Sequence, residues 1–314
     1  MKRSRLASLT GTALLLGSLL LSACAPSPAG APAGNDDGAI EQLTTDVRAF
    51  GSVGSGKPVE LSLSDRATRA AMFVDGKPVY AVASGGSART SDDSNPPQSG
   101  IPRPAADWDV KAIAAFYPDV CQDKQVLARS LRDGHTMIAV SCGMSFAKED
   151  IDGHVFERLD DISSAATLDT LLQEAAMAVD LSQTRSVRLP ARGGISGTGL
   201  AASFNAGTVV GPDDKPCPAF FTRSFEVGGP MMAPTATGPS CDPLADRSAT
   251  TFDLSRMTGE KLAQGLKQLS AAGGQPLSES MGVELTGDGK HGIVAKATWK
   301  APAKKSAQLT IKEG

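Results

Sequence analysis

Apolar residues recur at helical spacing in four places along the chain, and between those places they alternate with polar residues or form short runs. Ile40, Leu43, Val47 and Phe50 share one helical face, with Asp36 or Asp37 to cap it and Gly51 to end it. Val110, Ile113, Ala114 and Tyr117 mark a second helix, capped by Asp107 and stopped by Pro118. The fullest pattern lies in 165–181, where Leu168, Leu171, Leu172, Ala175, Ala176 and Val179 follow the helical period without a gap. A fourth helix starts at Thr258, turns Leu262, Leu266 and Leu269 inward, and stops at Gly273-Gly274.

Between these helices the period falls to two. Val59, Leu61 and Leu63 predict a half-buried strand, and Asp75-Gly76 and Asp133-Gly134 sit between apolar flanks over 72–84 and 126–142. Asp-Gly supplies two positive-φ residues in a row, which a tight hairpin turn requires. Further strand runs occupy 187–189, 200–204 and 220–227, while 283–285 and 293–299 flank Gly287-Asp288-Gly289 and 308–311 adds an edge. Residues 84–104, dense in Gly, Ser and Pro, read as a long exposed loop, and 228–250, which holds Cys241, as loop-rich. The two Asp-Gly hairpins match at Asp75/Asp133, Gly76/Gly134, Ala81/Ala139, Val82/Val140 and Gly85/Gly143, a constant offset of 58 that points to a duplicated helix-plus-hairpin unit. The expected fold is α+β, with mainly antiparallel sheets built from Asp-Gly hairpins and a few amphipathic helices, in two domains over 39–150 and 151–314.

The first residues follow another logic. Met1-Lys2-Arg3-Ser4-Arg5 is a basic start, and the apolar stretch 6–21 is short and broken by Ser, Gly and Thr, so 1–23 reads as an export signal and not as a membrane span. Its ending, Leu21-Ser22-Ala23-Cys24, resembles the lipobox of bacterial lipoprotein precursors. That resemblance implies loss of 1–23, acylation of Cys24 with palmitate-like chains, and a membrane anchor on the extracytoplasmic side. Ala25 follows the cysteine where Asp would retain the protein, so the same pattern implies the outer membrane wherever the envelope has two. After the lipidated Cys24, residues 25–38 carry no apolar side chain larger than Ala or Pro, so 24–38 read as a flexible tether reaching about 20 Å.

Charge and cysteines narrow the class. Without Lys2, Arg3 and Arg5, 28 basic residues face 34 acidic ones, a formal charge of −6 that disfavours nucleic acid as a partner. The aromatic fraction of 4% leaves few rings for stacking on sugars. Beyond Cys24, the cysteines are Cys121, Cys142, Cys217 and Cys241, an even set in a chain bound for an oxidising compartment. Their spacing favours local pairing, Cys121 with Cys142 and Cys217 with Cys241. No CxxC is present, so neither redox catalysis nor a thiolate zinc site is implied.

Several fragments touch on catalysis without completing it. Residues 51–57 (GSVGSGK) begin like a phosphate-binding loop, but Pro58 replaces the hydroxyl that holds magnesium, and a helix precedes where a strand should. Ser145-Phe146-Ala147-Lys148 matches the S-x-x-K of envelope serine hydrolases, whose chemistry needs Ser and Lys one helical turn apart with further elements not found here. His135, His154 and His291 each follow an Asp-Gly turn and form a weak candidate metal set, with none of the recognised ligand spacings. The acidic run 148–161 reads as a solvated face. The expectation is therefore a non-enzymatic envelope module, without a cofactor, that binds or assembles with an envelope protein or small ligand. A serine hydrolase on Ser145 and Lys148, or a metal-binding lipoprotein on the histidines, stands as the competing expectation.

Overall fold

The computed structural model describes residues 37–64, 67–92, 96–97, 99–116, 124–142, 145–190, 201–225, 235–241, 249–290, 292–299 and 305–312. Cys24, Cys121, Tyr117, Pro118 and His291 lie outside them, as do the leader and most of the tether. The chain is mixed helix and sheet, with few helices and two antiparallel sheets. The first part runs α1 (Asp37–Ala49), β1 (Glu60–Ser64), β2 (Thr68–Val74), β3 (Lys77–Ser84), β4 (Ser87–Ser91), α2 (Val110–Ala114), β5 (Lys124–Ser130), β6 (Thr136–Cys142), β7 (Ser145–Ile151) and β8 (His154–Val155). Its strands stand in the order β4-β3-β2-β1-β5-β6-β7-β8. The second part runs α3 (Ala165–Ala178), β9 (Thr184–Leu189), β10 (Ala201–Val210), β11 (Pro216–Ser224), β12 (Ala236–Cys241), α4 (Gly259–Gly273), β13 (Ser280–Gly287), β14 (Gly292–Trp299) and β15 (Lys305–Lys312), ordered β12-β11-β10-β9-β13-β14-β15.

The two parts share one plan. A helix leads into a four-strand meander, a second helix leads into another meander, and the two meanders join through their first strands, β1 with β5 and β9 with β13. The five identities at offset 58 do not follow this plan. They align the β2–β3 turn with the β5–β6 turn, whereas the counterpart of β2–β3 within the plan is the β6–β7 connection. Asp-Gly supplies two positive-φ residues in succession at Asp75 (φ 49) and Gly76 (φ 72), and again at Asp152 (φ 49) and Gly153 (φ 86), so its repetition carries turn chemistry and no register.

Helix ends follow their side chains. Thr258 accepts from Lys261 N at the start of α4, and Gly274 closes it in the left-handed region at φ 64. Ser164 caps α3, and α2 is capped by Asp109, with Asp107 instead ending a preceding 3-10 turn over Ala105–Asp107. Leu43, Val47 and Phe50 of the first helical segment join Ile113 over Leu61, Leu63, Met72, Val126 and Ile138 to form one core. Leu168, Leu171, Leu262, Leu266 and Leu269 cover Val187, Phe204, Phe221, Leu285, Ile293 and Trp299 in the other.

Three expectations change. Residues 84–104 are not one exposed loop, because β4 lies inside them, Ser99 and Arg103 are buried, and Gly100 exchanges two backbone hydrogen bonds with Val210, both 3.1 Å. Residues 228–250 contain β12, whose Gly and Pro content hides its strand character. The boundary at 150/151 falls inside β7, and the first sheet continues through β8 to Val155.

Candidate functional site

Alternation along each strand separates the two faces of each sheet. In β1, Leu61 and Leu63 meet the helices, so Glu60 and Ser62 point to the other face, where Glu60 Oε2 accepts from Arg129 Nε at 3.1 Å and Ser62 accepts from Gln125 Nε2 at 2.8 Å. That helix-free face is covered. Val59, Ala71 and Phe73 pack with Tyr80 and with Val210 of β10. Thr235 N donates to Glu149 Oε2 at 2.6 Å, Cys241 N donates to Ser99 Oγ at 2.6 Å, and Asp213 N donates to Gly76 O at 2.7 Å. The β10–β12 end of the second sheet thus forms a seam with the first sheet.

The second sheet repeats the arrangement, and among the described residues no strand covers this face. Val187 and Leu189 of β9 meet the helices, and Arg188 between them faces away, opposite Ser203 on β10 and Glu284 on β13. Glu284 in turn lies opposite Lys296 on β14, so cation, carboxylate and cation follow one another across three strands. Arg188 Nε is 3.9 Å from Glu284 Oε1, with the side chains 77% and 47% exposed, whereas Arg129 and Glu60 are 26% and 7% exposed in the first sheet. A cleft of ≈ 740 Å³ opens on this face, edged by Arg188, Ser203, Met281, Glu284, Lys296 and Thr298. Met281 is 56% exposed, one of two large apolar side chains so placed among the described residues.

A second polar cluster lies where β7, β8, α3 and β11 meet. Arg223 and Glu174 pair at 2.7 Å with neither side chain exposed; His154 Nε2 stands 3.3 Å from Glu174 Oε1, and Arg223 lies over the Phe156 ring at 4.7 Å. Arg223 Nη2 also donates to Glu157 O at 2.6 Å, so the guanidinium is satisfied from several sides. On β7, Glu149 and Asp150 point to opposite faces, and burial pushes both carboxyls above their ordinary range, offset at Glu149 by the Thr235 hydrogen bonds and at Asp150 by Gly153 N. Burial also lowers the Arg103 guanidinium, which Asp152 and Asp107 partly restore. The acidic run 148–161 is therefore not a purely solvated face: Glu149 is 6% exposed and Asp150 0%.

Among the described residues, His135 and His154 take separate carboxylate partners, and His291 lies outside them. His135 Nδ1 lies 2.6 Å from Asp152 Oδ2, His154 turns to Glu174, and no group of three or more metal-ligating side chains occurs among the described residues. Ser145 and Lys148 lie along strand β7, which gives S-x-x-K no helical turn to align it, and Lys148 extends over the Phe116 ring at 4.3 Å. Cys217 and Cys241 form a disulfide across a separation of 24 residues; Cys142 is also disulfide-bonded. No described helix is long and apolar enough to cross a membrane. Sequence reasoning missed Arg188, Glu284 and Lys296, whose signal was their placement between inward residues of three strands that became neighbours only in the folded sheet.

No protein-family model and no curated protein matches the chain. Among solved structures, a PCNA2–PCNA3 complex from Sulfolobus tokodaii aligns at 9% identity and TM-score 0.16, over 87% of this chain and 96% of that one. The proliferating cellular nuclear antigen of Entamoeba histolytica aligns at 9% and 0.15, over 88% and 96%. The DNA polymerase III beta subunit of Thermotoga maritima aligns at 10% and 0.15, over 87% of this chain and 63% of its own. Scores of this size carry no argument about fold or function.

Proposed function

We propose that the protein is a lipid-anchored envelope lipoprotein that acts as a non-enzymatic binding or assembly module and meets a protein partner on the helix-free face of its second sheet. The observation that supports this reading is the contrast between the two faces: the first is covered by β10–β12, while the second, among the described residues, has no such cover and bears a cleft. The lining supports a protein in preference to a sugar, since it contains no aromatic ring and combines Arg188 with exposed Met281, residue types favoured at protein interfaces. Alternating charge at Arg188, Glu284 and Lys296 would fix the register of the partner more than its affinity. The Leu21-to-Cys24 ending supports the anchor, because two or more acyl chains on one residue hold a protein stably where a single chain does not.

Two measurements test the two parts separately. Cys24→Ser should move the protein from the membrane fraction to the soluble one; retention in the membrane would remove the anchor. A photo-crosslinking residue at position 281 in the full chain should trap one discrete protein, and the same residue at exposed Lys267 on α4 should not. Equal trapping at both positions, or none at 281, would remove the face as a docking surface.

A further inference from the structure

We infer that the Cys217–Cys241 disulfide is a redox-sensitive lock on the seam between the two sheets. The strand it holds is poorly qualified to stay in place alone. β12 has the sequence ATGPSC and, among the described residues, is an edge strand paired with β11. Ala, Gly, Pro and Ser are weak strand formers, Pro239 has no N–H to donate, and the pairing shifts register between Phe220 and Thr222. Yet both flanks of this strand are seam points: Thr235 N donates to Glu149 of β7, and Cys241 N donates to Ser99 beside the Gly100–Val210 bridge. The disulfide ties Cys241, at the end of β12, to Cys217 of β11, which lies opposite Val209 in the β10–β11 ladder. It therefore fastens a strand whose own sheet holds it weakly and whose amides reach the other sheet.

Cys217 is 4% exposed, while Cys241 is the less buried residue of the pair. A dithiol reductant would act in two steps. Its thiolate attacks one sulfur to form a mixed disulfide and expel the other as thiolate; its second thiol then closes on the first, leaving two protein thiols and an oxidised reductant, two electrons and two protons transferred in all. The consequence is local: β12 detaches, and the hydrogen bonds to Glu149 and Ser99 go with it, while the β13–β15 meander keeps its ladder.

Amide hydrogen exchange on a Cys217→Ser, Cys241→Ser double variant tests this without touching Cys142. Exchange should rise at least about tenfold at Thr235, position 241, Gly100 and Val210, with β13–β15 unchanged. Unchanged seam amides, or equal acceleration through the whole second sheet, would overturn the lock. Should the double variant fail to fold, the same exchange is read on a Cys217→Ala, Cys241→Ala variant, which also spares Cys142, with the same two overturning outcomes. Ser99→Ala, which keeps the disulfide, should leave Thr235 protected; loss of protection there would show that the seam and not the disulfide holds the strand.

Discussion

Arg223 of β11 and Glu174 of α3 meet at 2.7 Å with both side chains at 0% exposure, so a strand and the helix above it are joined by a charge pair without solvent contact. Removing one partner leaves the other buried without its opposite charge at contact distance, with Glu157 O still beside Arg223 or His154 still beside Glu174. Arg223→Met should cost about 3–5 kcal/mol, and Glu174→Leu a similar amount. The double variant should recover most of that loss, since an apolar pair of similar volume avoids the desolvation of two ions. Urea midpoints for the two single variants and the double variant decide it: additive losses would mean that the pair is not a unit.

Helix propensity and packing oppose each other at two glycines of α4. Alanine gains about 1 kcal/mol over glycine inside a helix. At Gly273, however, a Cβ would stand 2.3 Å from the Trp299 ring, whose indole N–H is held by Pro276 O at 3.0 Å. At Gly265 the nearest atom is the flexible Cδ1 of Ile311, at 2.4 Å. Gly273→Ala should therefore be destabilising by about 2 kcal/mol and Gly265→Ala by clearly less, on the scale of overpacked cores. Thermal unfolding of the two variants should rank them in that order.

Stability should fall as pH rises past the ordinary carboxylate range. Burial raises Glu149 and Asp150, so the folded chain keeps protons that the unfolded chain has released. The cost of ionising them inside the fold is absent below the unfolded values and fully present above the folded ones. Asp150 Oδ2 has no hydrogen-bond partner among the described residues. Asp150→Asn should stabilise by about 1 kcal/mol at neutral pH, the lower range for a buried polar group without a partner, with the advantage vanishing near about pH 4. Glu149→Gln keeps an acceptor for Thr235 N and should flatten the same slope. Chemical denaturation from acid to neutral pH measures both, and a native chain that grows more stable over that range would contradict the assignment.

The helices and most strands could be read in the sequence because each carries its own period. Leu168 through Val179 and Leu262 through Leu269 needed no tertiary information, and Asp75-Gly76 marked its turn through φ alone. β4 and β12 were hidden because SARTS and ATGPSC are held by neighbours and a disulfide, not by strand propensity. The seam and the open face were illegible for a related reason: Glu149 and Thr235, or Arg188 and Lys296, meet through sheet order, and no local pattern encodes which strands become neighbours. One tertiary contact does have a local signature. Asp180-Leu181-Ser182 and Asp253-Leu254-Ser255 are identical triplets, each with the Asp capping a 3-10 turn and the Leu buried, and a Thr184–Phe252 bridge follows from their packing.

The shared strand order has a kinetic side. Every neighbour in each sheet is also a sequence neighbour, except where the first strands of the two meanders meet, as at Glu60 with Arg129 and Leu189 with Val283. Hairpins can close in microseconds, so each meander can assemble from its own turns before any distant segment arrives. The slow event in each sheet is a single long-range closure between β1 and β5 or between β9 and β13, where loop entropy must be overcome before the ladder returns anything. The chain thus concentrates its search for the native state into two zippering steps, and substitutions at those central strands should slow refolding more than substitutions at the outer ones.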